Sequence, residues 1–269
     1  MWNSLGIGLN RAWRLFGTGL SFAVFGIGGL FLGVVACMAM RLIIHDPAAY
    51  AQAARRLVSR AFRLFAAFMT AVGVLRWRVD GLALLQRDRG YLVVANHPTL
   101  IDIVFLIGFF EGADCIVKAG VLRNPFWGIL VRAADYVSND NPAELLNEAA
   151  RRLQAGRTVV IFPEGTRSTP GLPLSFGSAA SAIAVRAGCC CLPVVITCTP
   201  PTLYKHLAWY RVPAVRVDVL LRICAPWQVA PADGTLAGQR RAARALTGKF
   251  EAFFARELGS AASTVGPVL

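Results

Sequence analysis

The sequence predicts an α/β fold: a mixed, largely parallel central sheet flanked by helices, with an N-terminal membrane-associated helical segment ahead of it. Three observations predict it. Short apolar runs rich in β-branched residues recur at 75–79, 91–95, 115–117, 158–162, 192–198 and 215–223, with helix-length stretches between several of them, the alternation expected of a sheet wrapped by helices. The runs at 91–95 and 158–162 are apolar almost throughout instead of alternating, as in strands covered on both faces. Residues 15–40 contain no charged side chain, a stretch long enough to cross a hydrocarbon core of ~30 Å.

Taken in order, the first segment is bracketed by Arg11 and Arg14 on one side and Arg41 on the other. It is too long for the apolar core of a secretory signal, and no small-residue cleavage site with a polar approach follows, so it reads as a retained anchor. Gly17, Gly19, Gly26, Gly28, Gly29 and Gly33 leave both a straight span and a bent or re-entrant helix open. Residues 54–75 then set Arg55, Arg56, Arg60 and Arg63 among Leu57, Phe62, Leu64, Phe65, Phe68 and Met69. That spacing suits a helix lying at the headgroup layer; the alternative is a helix packed on the following domain with a solvated arginine end. The arginine excess after the first segment orients the main domain toward the cytoplasm, which places the chain at the inner (cytoplasmic) membrane. Residues 1–75 are therefore expected to anchor, 76–258 to form the α/β domain and 259–269 to be a flexible tail. Within the domain, a helix over 142–155 is opened by Asn141 as a cap, with Pro142 and Glu144 in favoured positions, and closed by Gly156. A last helix is expected over 235–258.

Composition narrows the partners. Lysine and arginine exceed aspartate and glutamate by 28 to 15, a formal net charge of +13, yet 56% of residues are hydrophobic and mean hydropathy is +0.54. A chain both basic and greasy, with the apolar excess at one end, points to membrane lipids with an anionic surface and not to nucleic acid. Cys189, Cys190 and Cys191 are contiguous, poor spacing for metal ligands. The seven cysteines read as small buried hydrophobes in a reducing compartment, and no metal is expected.

The chemistry concentrates in two stretches. In YLVVANHPTLID, residues 91–102, the strand should stop at Asn96, Pro98 biases His97 toward an extended conformation, and Thr99 with Asp102 matches the start of a helix running through 110. His97 would then precede the helix and Asp102 occupy its first turn, so the carboxylate can fold back onto one imidazole nitrogen and leave the other facing outward. On this stretch alone a second reading stays open, with Asp102 completing a cap and His97 an ordinary loop residue. In TVVIFPEGTRS, residues 158–168, Pro163 ends a strand and Gly165 permits a turn that presents N–H groups to an anion. Arg167 adds a planar cationic fork suited to phosphate. Glu164 either holds Arg167 or accepts from a substrate hydroxyl; a plain turn with a surface Glu164–Arg167 ion pair is the alternative.

Together these stretches resemble the glycerolipid acyltransferase family typified by bacterial 1-acyl-glycerol-3-phosphate acyltransferase. NHPTLID matches its first motif, His-x-x-x-x-Asp, and FPEGTRS its third; Lys118, Leu122, Pro125 and Gly128 are similar to its second and LPVVI around Pro193 to its fourth. The resemblance covers about 76–199 and extends to the N-terminal helices. It implies that His97 is the general base on an acceptor hydroxyl, that Asp102 orients the imidazole, and that Glu164, Gly165, Thr166, Arg167 and Lys118 bind the acceptor's polar head. It implies direct attack on an acyl thioester, supplied by acyl-CoA or by an acyl carrier protein, with no further cofactor. Departures bear on the substrate. Ala119, Gly120 and Val121 stand where the second motif usually carries Lys-Glu-Leu, Asn139 and Asp140 lie where an arginine often follows, and Phe176-Gly-Ser-Ala replaces Phe-Lys-x-Gly. A phosphomonoester acceptor would lose contacts of roughly 1.5–3 kcal/mol each. The acceptor expected is thus lysophospholipid-like, of the lysophosphatidic acid type, with a less anionic lipid or a polyene or polyketide alcohol as the alternative. A thioesterase or lipid hydrolase using the same site, and a non-catalytic membrane adaptor, are the other function classes.

Overall fold

The computed structural model describes residues 2–264 apart from 87, 88 and 233. The chain divides into two compact units. The first gathers Met1–Arg76, Ile101–Leu145 and Leu207–Val217; the second gathers Trp77–Leu100, Leu146–His206 and Asp218–Leu269. The anchoring segment expected over 1–75 thus folds as one unit with two later stretches of the chain.

In the first unit, α1 (Trp2–Phe31) runs through a π-helical turn (Leu32–Ala36) into α2 (Cys37–Ile43). Gly8–Ile43 is a 36-residue helical stretch long and apolar enough to cross a membrane. The irregularity falls where Gly33 is buried. Asp46 caps α3 (Pro47–Ala71), its carboxylate accepting from Ala49 N at 2.7 Å with Pro47 in the first turn; a side-chain acceptor and a proline with no N–H to satisfy suit that end. α3 lies against α4 (Asp102–Phe109), and its Ala54, Val58, Phe62 and Ala66 are buried. Arg55 is also buried, donating to the Ala134 carbonyl at 3.0 Å and lying 4.0 Å from Asp114. α3 is thus the helix packed on its own unit and not one lying free at the headgroups, although Arg60 and Arg63 remain exposed and pair with Glu111. β3 (Asp114–Val117) pairs parallel with β4 (Val137–Ser138), with α5 (Ala119–Leu122) and α6 (Gly128–Ala133) between them.

In the second unit the strand order is β1-β7-β6-β2-β5, for β1 (Leu75–Asp80), β2 (Leu92–Ala95), β5 (Val159–Ile161), β6 (Cys190–Thr199) and β7 (Val217–Ile223). β2 lies at its heart, parallel to β5 with Leu92 opposite Val159 and parallel to β6 with Leu92 opposite Cys191. Every residue of β2 and β5 is buried, which explains why neither sequence alternates. β7 and the short β8 (Trp227–Gln228) run antiparallel to β6. The mixed, mostly parallel sheet flanked by helices is the fold expected. α7 (Pro142–Gln154) starts as the sequence indicates, Ala143 and Glu144 donating to Asn141 Oδ1 at 3.1 and 3.4 Å, and is followed by Gly156 at φ +77°. α8 (Ala179–Ala187) and α9 (Leu236–Thr264) cover the sheet. α9 continues to Thr264, so the tail expected from 259 is helical over its described residues; 265–269 lie outside them. Short elements with little hydrophobic pattern, β4, β8, α5, α6 and α8, were not marked by sequence periodicity.

Candidate active site

β2 and β5 are adjacent and parallel, so the loops that leave their C-terminal ends emerge side by side. The loop after β2 carries His97 and the turn after β5 carries Glu164 to Ser168. Between strands ~4.8 Å apart, side chains just beyond the last ladder bond come within hydrogen-bonding reach. His97 N–H donates to Glu164 Oε1 at 2.8 Å, Ser168 N–H donates to the His97 carbonyl at 2.7 Å, and Ser168 Oγ–H donates to Glu164 Oε1 at 3.0 Å. The imidazole stacks on Phe162, centroids 4.1 Å apart and planes inclined by 14°. His97 is itself half-buried, so the ring is held without being sealed away.

The strand ends at Ala95 because Asn96 takes over the pairing with its side chain: Ile196 N–H donates to Oδ1 at 2.7 Å and Nδ2 donates to the Ile196 carbonyl at 2.8 Å. The amide thereby mimics a backbone unit in a buried position and lets the chain turn toward His97 without orphaning Ile196. Sequence reasoning marked Asn96 only as a stop; its pairing with a residue one hundred positions on carries no local pattern. Ser168 and Leu203 were likewise missed.

Gly165 sits at φ +63° with its N–H donating to the Phe162 carbonyl at 3.1 Å, and its α-carbon faces open space. A glycine is suited to that left-handed position, and the turn it makes leaves Thr166 half-buried and Gly165 exposed. Arg167 Nη1 donates to the carbonyls of Leu203 and Tyr204 at 2.8 and 3.3 Å. The Leu203 carbonyl also accepts from Leu100 N–H at 3.1 Å, and Leu203 holds φ +50°, an uncommon conformation for a residue with a branched side chain. His97, Glu164, Gly165, Thr166 and Arg167 therefore come together at one end of one sheet.

Asp102 and Lys118 belong to the first unit. Asp102 is fully buried and opens α4, with Ile101 as N-cap, so the helix begins at Asp102 and not at the Thr99 cap expected. Its carboxylate does occupy the first turn, where the helix dipole favours negative charge. Lys118 is exposed at the N-cap of α5. Asn139, in the place of a customary arginine, accepts from Ala119 N–H at 3.3 Å and so supports the start of α5. The seven cysteines are free thiols, and no cluster of metal-ligating side chains occurs among the described residues.

Three comparisons bear on this arrangement. The acyltransferase family model matches residues 76–197. Over 146 residues the chain is 30% identical to the 1-acyl-sn-glycerol-3-phosphate acyltransferase of Pseudomonas aeruginosa, covering 52% of this chain and 56% of that protein. Over 119 residues it is 36% identical to the lyso-ornithine lipid O-acyltransferase of Rhizobium meliloti, 40% of each chain. The chain thus spans about half the length of the curated relatives it matches, or less. The crystal structure of the 1-acyl-sn-glycerophosphate acyltransferase of Thermotoga maritima superposes with a TM-score of 0.65 at 25% identity, over 91% of this chain and 96% of that one.

Proposed function

We propose, from the likeness of residues 76–197 to the acyltransferase family, that the chain is a membrane-bound O-acyltransferase esterifying a hydroxyl of a lysophospholipid-like acceptor with a fatty acyl group from a thioester. The observation that carries the proposal is His97 held at the end of β2, ring half-exposed, beside the Glu164–Ser168 turn at the end of β5.

In the reaction, a ring nitrogen of His97 removes the acceptor hydroxyl proton as the oxygen attacks the thioester carbonyl. The tetrahedral intermediate collapses, the carbon–sulfur bond breaks, and the imidazolium returns the proton to the departing thiolate. The family resemblance gives Asp102 the role of orienting the imidazole and offsetting its charge while it is protonated. Thr166, Arg167 and the N–H groups around Gly165 bind the acceptor's polar head, a role that the resemblance extends to Lys118. The donor is acyl-CoA or an acyl carrier protein, both of which present the same thioester carbon.

Lysophosphatidic acid, giving phosphatidic acid, is the acceptor favoured by the relatives' activity. A second reading, a lyso aminolipid acceptor, is favoured by Ala119, Gly120 and Val121 in place of a cationic second motif and by the likeness to the lyso-ornithine lipid enzyme. At 36 residues, about 54 Å at 1.5 Å per residue, the Gly8–Ile43 helix exceeds a hydrocarbon core of ~30 Å, so Arg11, Arg14 and Arg41 can reach headgroups. This supports attachment to the inner membrane with the catalytic residues on the cytoplasmic side.

The test is turnover by the full chain in mixed vesicles, supplied with an acyl thioester and either lysophosphatidic acid or a lyso aminolipid, reading ester formation and free thiol together. Ester and thiol should appear in equal amounts, and His97→Ala should lower the rate at least about a hundredfold. Thiol release that is indifferent to acceptor would replace the transferase by a hydrolase, and an unaffected His97→Ala variant would remove the proposal altogether.

A further inference from the structure

His97 is gripped through its peptide groups. Glu164 Oε1 accepts two hydrogen bonds, from His97 N–H at 2.8 Å and from Ser168 Oγ–H at 3.0 Å, while Ser168 N–H returns a bond to the His97 carbonyl at 2.7 Å. One residue earlier, Asn96 is tied to Ile196 by both ends of its amide. Both hydrogen-bonding groups of the His97 main chain and the residue preceding it are therefore spoken for by neighbouring strands, and the ring lies over Phe162.

We infer that Glu164 is a positioning residue for His97, with Ser168 as the other half of the clamp, and that it does not act by touching the acceptor. The inference rests on the reading of His97 as the general base and deepens it. What the clamp requires of residue 164 is an oxygen at the end of its side chain, since the donors from His97 and Ser168 are both neutral. A carboxamide supplies that oxygen at the same place; a methyl group supplies none, and an aspartate retracts it by one methylene. A residue that paired a cationic head or took up a proton would need the charge instead.

The test compares Glu164→Gln, Glu164→Asp and Glu164→Ala in the full chain, by steady-state kinetics on the acceptor and by the imidazole resonances of His97 in nitrogen-edited NMR across pH. Glu164→Gln should stay within about threefold of the parent in kcat, while Glu164→Ala and Glu164→Asp should lose about a hundredfold in kcat at little changed acceptor KM, the scale of a 1 Å misplacement. The His97 resonances should coincide in parent and Glu164→Gln and move or broaden in the other two. Equal damage from Gln and Ala, or a defect confined to acceptor KM, overturns the inference. If Glu164→Ala does not fold, the contrast of Gln with Asp decides alone. A parent inactive on every acceptor would sink the transferase reading, and the NMR comparison would still judge the clamp.

Discussion

At the scale of single residues, burial decides which polar groups hold structure and which stay available. Asn96 is 2% exposed and satisfies both backbone groups of Ile196. Asn96→Ala would leave an N–H and a carbonyl without partners, and should lower the unfolding free energy by ~2–4 kcal/mol, read as a drop in denaturation midpoint at unchanged slope. The cysteines differ for similar reasons. Burial pushes the Cys115 thiol up to about 12, whereas the half-buried Cys189, accepting a hydrogen bond from Cys191, is held below the ordinary thiol range against the opposing effect of its own burial. Alkylation of the folded protein at about pH 8 should modify Cys189 before Cys115, the thiolate being the nucleophile; peptide mapping after brief treatment checks the order. Arg55 shows where sequence reasoning stops. Its neighbours Arg56, Arg60 and Arg63 are exposed, and nothing in the local pattern distinguishes the one that turns inward, because the Ala134 carbonyl it meets lies far along the chain.

Among the elements, the two buried strands and the loops they deliver were legible, since β-branched runs, Pro98, Pro163 and Gly165 all act locally. The meaning of the α1 glycines was not. From the sequence they weakened a straight span. In the structure a Cβ at Gly19 would lie 3.6 Å from Trp209, at Gly26 3.8 Å from Phe126 and at Gly33 3.4 Å from Ile129, while at Gly29 it would run into the Trp127 ring. Spaced by seven, the first three glycines share one side of the helix, which lets α1 approach bulky residues of its own unit. Trp127 cannot readily yield, because Phe25 and Phe62 pack against it, ring centroids 4.4 and 5.3 Å away, the first tilted and the second edge-on. Gly29→Ala therefore pits helix propensity, a gain of ~1 kcal/mol, against a clash costing ~1–3 kcal/mol. The net effect should be destabilising, with altered tryptophan fluorescence; a more stable variant with unchanged emission would show that α1 is not seated on Trp127.

For the molecule as a whole, electrostatics sets two dependences. Burial alone would raise the Glu148 carboxyl, but hydrogen bonds from Arg151 and Arg152 outweigh it and hold the group below its ordinary 4.5. Folded Glu148 thus gives up its proton more readily than unfolded Glu148. Its contribution is fully present above pH 4.5 and is lost as pH falls through the lower folded value. Glu148→Gln should cost ~1–3 kcal/mol near neutrality, and the gap to the parent should close in acid; urea titrations at several pH values test both. The net charge of +13 acts on association. Binding to anionic vesicles should weaken as salt shortens the screening length from ~10 Å toward ~3 Å, and a salt-resistant remainder should disappear in a variant lacking the Gly8–Ile43 helix, as flotation would show.

The way Arg167 grips its neighbour has a last implication. It holds Leu203 and Tyr204 by their carbonyls, and Leu100 holds Leu203 by the same atom, so this anchorage draws on main-chain oxygens that every amino acid carries. Tyr204 can therefore exchange its side chain during evolution while these tethers stay fastened, so that part of the loop can drift in sequence without loosening its hold on Arg167.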